Sequence, residues 1–355
     1  MEDYYNTLLK HLDGYTVMGL FDGKRDIKDI VTLQTGNKGR VFFFDQEPMI
    51  HNVDNDLWDY VFQEPTIFAN SELNSIDKDY VKNRYPNFID WYYFANAFVS
   101  REWFSAQRYN YAGWINHKQT VLDCNLLDGS RQYRLYLICR MYIREYNKHS
   151  YISFNGNFDW ENKLKNHDEF GTLKLLENYK EYLTDLPKKN VSYDNWGKEN
   201  SKYNGFMQSR IPLEYYSQVN YITVAETLFT ENKKHFSEKI FKPIAAGKPF
   251  VLLAGYKNID YLKSYGFKTF DLLWNEDYDD IYNPKQRIDR VFDLFRNLKL
   301  DTHNNDKKIQ MFDQAHNIAL ENRKYFWSDR FYELILNEAI HNLNNAKIQL
   351  ASKNI

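Results

Sequence analysis

The chain has 355 residues, with 46 Lys and Arg against 48 Asp and Glu and a formal net charge of −2. That length suits about two domains, each able to bury its own core, and the balanced charge excludes a global field that would steer the chain to nucleic acid, although a local basic groove can hide within a balanced total. Aromatic residues make up 17% of the chain while mean hydropathy is −0.69, so rings build the core beneath a strongly polar surface.

In chain order, Tyr15 to Phe21, Arg40 to Asp45, Thr66 to Asn70 and Trp91 to Ala95 read as strands. Between them, helical patterns fall at Lys24 to Leu33, Asn55 to Phe62 and Ser71 to Asn83, the last with Ser71 as its N-cap. A boundary follows near Gly113 to Lys118. Thr120 to Asn125 begins a second unit as a strand, Gly129-Ser130 caps a long helix through about Asn147, and Tyr151 to Phe154 is the next strand. Residues 186–209 are polar with scattered Gly and Asn and read as a long surface loop, a length usually kept for function or motion. Tyr221 to Val224 then forms a short apolar strand, Ser237 precedes a helix that stops at Gly247, and Pro249 to Leu253 is another strand. Past Phe270 the chain turns helical, at Arg287 to Leu298, Asp306 to about Tyr325 and Asp329 to Asn344. Strands and helices alternate almost throughout, which predicts an α/β fold. Residues 1–115 form an N-terminal domain in this reading, 116–300 a C-terminal domain, and 301–355 a set of terminal helices.

Cys124 and Cys139 belong to no CxxC or Cys/His spacing and read as buried and reduced. The acidic start and the absence of any apolar run near the roughly 18 residues of a membrane span predict a cytoplasmic protein, in the host cytoplasm if viral. The sequon Asn190-Val191-Ser192 should then stay unused.

An α/β sheet binds ligands outside the carboxyl ends of its strands, so Glu226 and the loop ahead of the Ser237 helix sit where a ligand would be held. Lys233, Lys234, Lys239 and Lys242 crowd that place, and ammonium groups beside free helix N–H groups make an anion site of the size a diphosphate fills. The bland alternative for Glu238 and Lys242 is an i,i+4 surface pair of roughly 0.2–0.5 kcal/mol. Asn125, Arg131 and Arg134 occupy the equivalent place after an earlier strand and are candidates for a second anion contact, or else solvated arginines on a helix rich in them. Asp45, Glu47 and His51 lie at the end of the strand VFFF, stiffened by Pro48. Glu47 is the first candidate for a general base, with Asp45 and His51 behind it; a turn or cap made of Asp45 and Glu47 is the alternative. Asp54-Asn55-Asp56 and Asp277-Tyr278-Asp279 match the DxD string by which carboxylates hold a divalent ion, a string common by chance among so many acidic residues. No GxGxxG, GxxxxGK[ST], GxSxG or HExxH string occurs, so dehydrogenase, P-loop, serine-hydrolase and zincin readings lack their signatures.

The stretch Ser-Glu-Lys-Ile-Phe-Lys-Pro-Ile-Ala-Ala-Gly-Lys-Pro-Phe, residues 237–250, resembles the donor-binding motif of the α-1,3-fucosyltransferases and related GT-B glycosyltransferases. The resemblance covers about fifty residues. It implies two Rossmann-like domains facing a central cleft, with C-terminal helices, and a sugar donor on the C-terminal domain. It further implies that Glu238 holds the ribose hydroxyls of a nucleotide sugar, that Lys239 and Lys242 face its phosphates, and that Glu226 lies near the transferred sugar. The expected activity is transfer of a hexosyl, pentosyl or fucosyl group from a UDP- or GDP-type donor to an acceptor hydroxyl, inverting and with no obligatory metal or cofactor. The acceptor is a glycan or, as in phage-type DNA glycosyltransferases, a hydroxymethylated base. The Asn, Lys, Tyr and Ile richness hints at an AT-rich genome of the phage kind. A non-catalytic carbohydrate or nucleotide binder is the reading from another class, because fold alone never proves activity.

Overall fold

The structure is a computed structural model that describes residues 3–21, 26–44, 50, 53–73, 75–113, 118–123, 131–146, 150–153, 165, 167–175, 177, 210–230, 233–297 and 306–353. The chain is α/β and divides into two units. The first comprises Met1–Glu102, Lys233–Glu238 and Trp327–Ile355; the second comprises Trp103–Asn232 and Lys239–Phe326.

The first unit is built on strands β1 (Thr16–Leu20), β2 (Val31–Gln34), β3 (Arg40–Phe44), β4 (Thr66–Asn70) and β5 (Phe88–Tyr92), in the order β2-β1-β3-β4-β5. All neighbours are parallel except β2, which runs antiparallel along β1. Val41, Phe42, Phe43 and Phe44 are wholly buried, the continuous apolar run of a parallel strand covered on both faces. Phe42 and Phe44 pack with Trp58, Phe62, Phe68 and Phe88 on one face, while Phe43 meets Tyr5 and Trp91 edge-on. Each such ring contributes about 1.5–3 kcal/mol by leaving water.

Among the described residues, four α-helices accompany this sheet in the early chain: α1 (Asp3–Leu9), α2 (Asn55–Val61), α3 (Ile76–Arg84) and α4 (Ala95–Trp103). The terminal helix of the chain, Asp329–Lys353, packs against β4 and β5. Its buried stripe, Phe331, Ile335, Ala339, Leu343, Ala346 and Leu350, follows the helical period. Bonds that help to fix its seat include those from Trp91 Nε1 to the Ala339 carbonyl at 2.9 Å, from Asn342 Nδ2 to the Tyr92 carbonyl at 3.0 Å and from Lys347 Nζ to the His11 carbonyl at 2.6 Å.

Three local expectations are corrected. Lys24 to Leu33 is no helix among its described residues: Ile27–Asp29 is a 3-10 turn, and Val31–Gln34 is an edge strand, where the β-branched Val31 and Thr32 fit better than in a helix. The helix expected from Ser71 begins at Ile76, because Ser75 is the N-cap whose Oγ accepts the Lys78 N–H at 3.0 Å. The strand expected at Trp91 to Ala95 ends at Tyr92, and Ala95 already opens α4.

The second unit holds β6 (Lys118–Asp123), β7 (Ser150–Ser153), β8 (Val219–Ala225) and β9 (Phe250–Leu253), all parallel, in the order β7-β6-β8-β9. Helices among its described residues include α5 (Gln132–Ile143), α6 (Leu213–Tyr216), α8 (Asn258–Ser264), α9 (Pro284–Asn297) and α10 (Asp306–Phe326), together with α7 (Glu238–Ala246), whose first residue is counted with the first unit; the terminal helix above is α11. Helix α7 stops at Gly247, whose φ of +71° is the left-handed C′ conformation glycine adopts without strain. No helix among the described residues is long and apolar enough to cross a membrane.

Candidate functional site

Strand order reverses in the second unit between β6 and β8, since the chain moves from β6 outward to β7 and then returns to the other side of β6. An open α/β sheet holds its ligand outside the carboxyl ends of the strands at such a reversal. Strand β8 ends there at Ala225, and Glu226 and Thr227 follow.

Glu226 is wholly buried. Its backbone N–H still bonds the Leu253 carbonyl at 2.8 Å, which holds the residue at the sheet edge, and its Oε2 accepts the Thr227 N–H at 3.2 Å. Lys239 reaches the same point from the first turn of α7, its Nζ donating to Thr227 Oγ1 at 3.3 Å. Ser237, Glu238, Lys239 and Lys242 are all buried, at 0, 4, 4 and 3% exposure. That excludes the solvated surface pair as the reading of Glu238 and Lys242. A carboxylate and two ammonium groups are costly to bury and are kept where partners or a ligand compensate them. Pro243 removes one backbone donor from α7, and Lys248 N–H bonds the Pro243 carbonyl at 2.9 Å beyond the helix end.

Arg134, expected to grip an anion, is wholly buried on α5. Its Nη2 donates to the carbonyls of Ala225 and Glu226 at 3.2 and 3.5 Å, and its Nε donates to the Tyr133 hydroxyl at 2.9 Å. The Tyr133 hydroxyl also bonds the Glu226 carbonyl, and its ring stacks on Phe229 with centroids 4.7 Å apart. Arg134 thus braces the backbone that carries Glu226. Arg131 is half-buried at the N-cap of α5, and Asn125 lies outside the described residues.

A second guanidinium does similar work in the same unit. Arg287 is wholly buried and donates to the carbonyls of Ala254 at 2.6 Å, Ile281 at 2.9 Å, Tyr282 at 3.1 Å and Phe229 at 3.3 Å. Burial lowers its pKa to about 10, so it stays a cation at neutral pH. Nothing in the local sequence of α9 marked this residue; its partners come from three separate loops. Among the described residues, Arg134, Lys239, Lys242, Lys248 and Arg287 therefore bury five basic side chains in this unit, against the buried acidic side chains Glu226 and Asp279.

The second DxD string is spent on structure, whereas the first places Asp54 at the N-cap position of α2 with no side-chain cap bond. Asp277 makes a two-bond pair with Arg290 at 2.9 and 2.8 Å, and Asp279 accepts the N–H groups of Asn258 and Ile259 at the start of α8, at 3.1 and 2.9 Å. Cys139 is a buried free thiol whose pKa burial pushes up, and Cys124 lies outside the described residues.

In the first unit, Asp45, Glu47 and His51 lie outside the described residues, just past Phe44 at the end of β3. The neighbouring strand β4 carries a residue that sequence reasoning missed. After Asn70 the chain places Glu72 at 0% exposure, its N–H bonded to Asn70 Oδ1 at 3.2 Å. Burial outweighs the attraction of Lys233 and raises the Glu72 pKa to about 7. Lys233, grouped by sequence with the anion-facing lysines, lies instead 3.3 Å from Glu72 Oε2 and 2.7 Å from Asp77 Oδ2. The signal was Ser71-Glu72 directly after an apolar strand, the same grammar as Glu226 after β8; reading Ser71 as a helix cap concealed it.

Compared with protein-family models and with curated protein sequences, the chain matches none of either.

Proposed function

We propose that the protein is a glycosyltransferase of the GT-B type that moves a sugar from a nucleotide-diphosphate donor to an acceptor hydroxyl. The observation that carries the reading is the group at the strand-order reversal of the second unit: Glu226, Thr227 and Lys239 together, with Lys242 buried on the same helix as Lys239. A nucleoside diphosphate is the ligand whose charge such buried ammonium groups compensate, and the resemblance of residues 237–250 to the fucosyltransferase donor motif supports the same assignment.

In this reading Lys239 and Lys242 neutralise the charge that grows on the leaving diphosphate, Glu238 takes the ribose hydroxyls, and Glu226 faces the sugar. Arg134 and Arg287 act through the backbone they brace. The acceptor O–H gives its proton to a carboxylate or an imidazole, with Glu47 first and Asp45 and His51 as its alternates. The acceptor oxygen bonds the anomeric carbon as the bond from that carbon to the diphosphate breaks, and the diphosphate leaves with the electron pair. Protein groups suffice to supply each charge in this scheme, so no metal is required by it.

Incubation of the purified chain with UDP- and GDP-sugars, followed by assay of released UDP or GDP, tests the proposal. Slow release without acceptor, accelerated by a glycan or a hydroxymethylated DNA, is the expected result. Tight nucleotide binding with no release under any acceptor would assign the chain to the non-catalytic binders instead.

A further inference from the structure

Residues Lys233–Glu238 belong to the first unit, whereas the chain before and after them belongs to the second. Four of the six are fastened around the carboxyl end of β4. Lys233 pairs with Glu72 and Asp77; the Leu73 N–H donates to the Lys234 carbonyl at 3.2 Å; His235 Nδ1 lies 3.2 Å from the Ser71 carbonyl oxygen; and Asn96 Nδ2 donates to the Phe236 carbonyl at 2.8 Å. Beneath them sits Glu72, wholly buried, with no hydrogen-bond partner for its Oε1.

We propose that Glu72 and Lys233 form a proton-linked latch: the segment 233–238 stays seated while Glu72 holds a proton, and it lifts more readily once that proton has passed to water. The groups facing Glu72 are Lys233 on the segment itself and Asp77 and Lys78 on α3; His235 stands beside Ser71, and Asp90 of β5 holds Lys78 at 2.7 Å.

The direction follows from two opposed effects. Burial disfavours the carboxylate, and Lys233 favours it, with Lys78 as a weaker ally and Asp77 opposing both. Burial wins in the seated state. Lifting the segment admits water and withdraws Lys233 together, so the carboxyl returns toward ordinary acidity and releases its proton. Seating therefore binds a proton, and raising the pH loosens the segment. Helix α7 begins at the last residue of this segment, so the latch would also tune donor binding. That consequence rests on the donor-site reading; the latch itself does not.

Hydrogen exchange of the amides of 233–238 in the full chain, without nucleotide, tests the latch. After correction for intrinsic exchange chemistry, the opening constant should rise by up to about tenfold per pH unit as pH approaches the Glu72 midpoint, then level off. Glu72→Gln should abolish the rise of opening with pH. Lys233→Met should move the midpoint upward, because the carboxylate loses its cation, and Asp77→Asn should move it downward, because a repelling charge is gone. A flat profile in the wild type, or an unchanged slope in Glu72→Gln, would overturn the latch. Asp77 is one-third exposed, so Asp77→Asn keeps the test available if Lys233→Met does not fold; an unmoved midpoint there counts against the latch too.

Discussion

Lys239 Nζ and Thr227 Oγ1 stand 3.3 Å apart, which ties the first turn of α7 to the residue two positions past the end of β8. The tie matters because β8 and α7 are consecutive elements joined by a long connection, and a side-chain bond across it fixes where the lysine sits. The Leu253 carbonyl holds Glu226 and Arg134 braces its backbone, so in the proposed donor site the fold itself orders these groups, which spares the cost of ordering them on binding.

Glu72 predicts an acid-side stability signature. Its pKa is about 7 in the folded chain against 4.5 as the ordinary value, so between those limits the folded state holds a proton that the unfolded state has lost. Stability from this group is greatest below about pH 4.5, falls as pH rises toward 7, and is level above it, for a total on the order of 3 kcal/mol. Glu72→Gln should remove that slope. Denaturant midpoints of both proteins across this range check it, and parallel curves would contradict the assignment.

Gly247 predicts a backbone effect. At φ +71°, a Cβ would meet Leu320 Cδ2 at 3.1 Å and Arg323 Cδ at 3.2 Å. Gly247→Ala should cost about 1–2 kcal/mol for the left-handed conformation alone. Gly247→Asn should recover part of the backbone strain. A thermal or denaturant midpoint equal to wild type in Gly247→Ala would refute the capping account.

The sheets were legible because parallel strands buried on both faces write continuous apolar runs: VFFF in β3, ITVA in β8 and FVLL in β9 stand out from a polar chain. Helix α7 was legible too, from Ser237 before it and Gly247 after it. What could not be read was pairing across distance. Lys233 finds Glu72 161 positions away, and Arg287 is placed by carbonyls at 229, 254, 281 and 282. Local pattern also misled where two structures compete for one stretch. Lys24 to Leu33 carries a helical spacing, but Ile27–Asp29 closes into a 3-10 turn and edge pairing with β1 takes the chain from Val31; Ser71 looked like a cap because Ser75, the true one, offers the same side chain four residues later.

Glu47 predicts the acceptor-side chemistry. If it takes the proton, Glu47→Gln leaves nucleotide affinity nearly intact and lowers turnover by roughly 10²- to 10⁴-fold. Asp45→Asn and His51→Ala are the paired controls, and a collapse in Asp45→Asn alone would move the role to Asp45. Normal turnover in all three, with a verified acceptor, would exclude the end of β3 as the source of the base.

The most direct test of the glycosyltransferase reading is calorimetric titration of the full chain with UDP and with GDP, repeated on Lys239→Met and Lys242→Met. Methionine keeps the apolar stem while removing the ammonium, so the fold should persist. The account predicts saturable binding of one nucleotide to the wild type and a loss of about 10- to 100-fold in affinity for each variant, as expected for one charge-assisted hydrogen bond of about 1.5–3 kcal/mol. Absence of binding to either nucleotide at about 1 mM, or wild-type affinity in both variants, would contradict it.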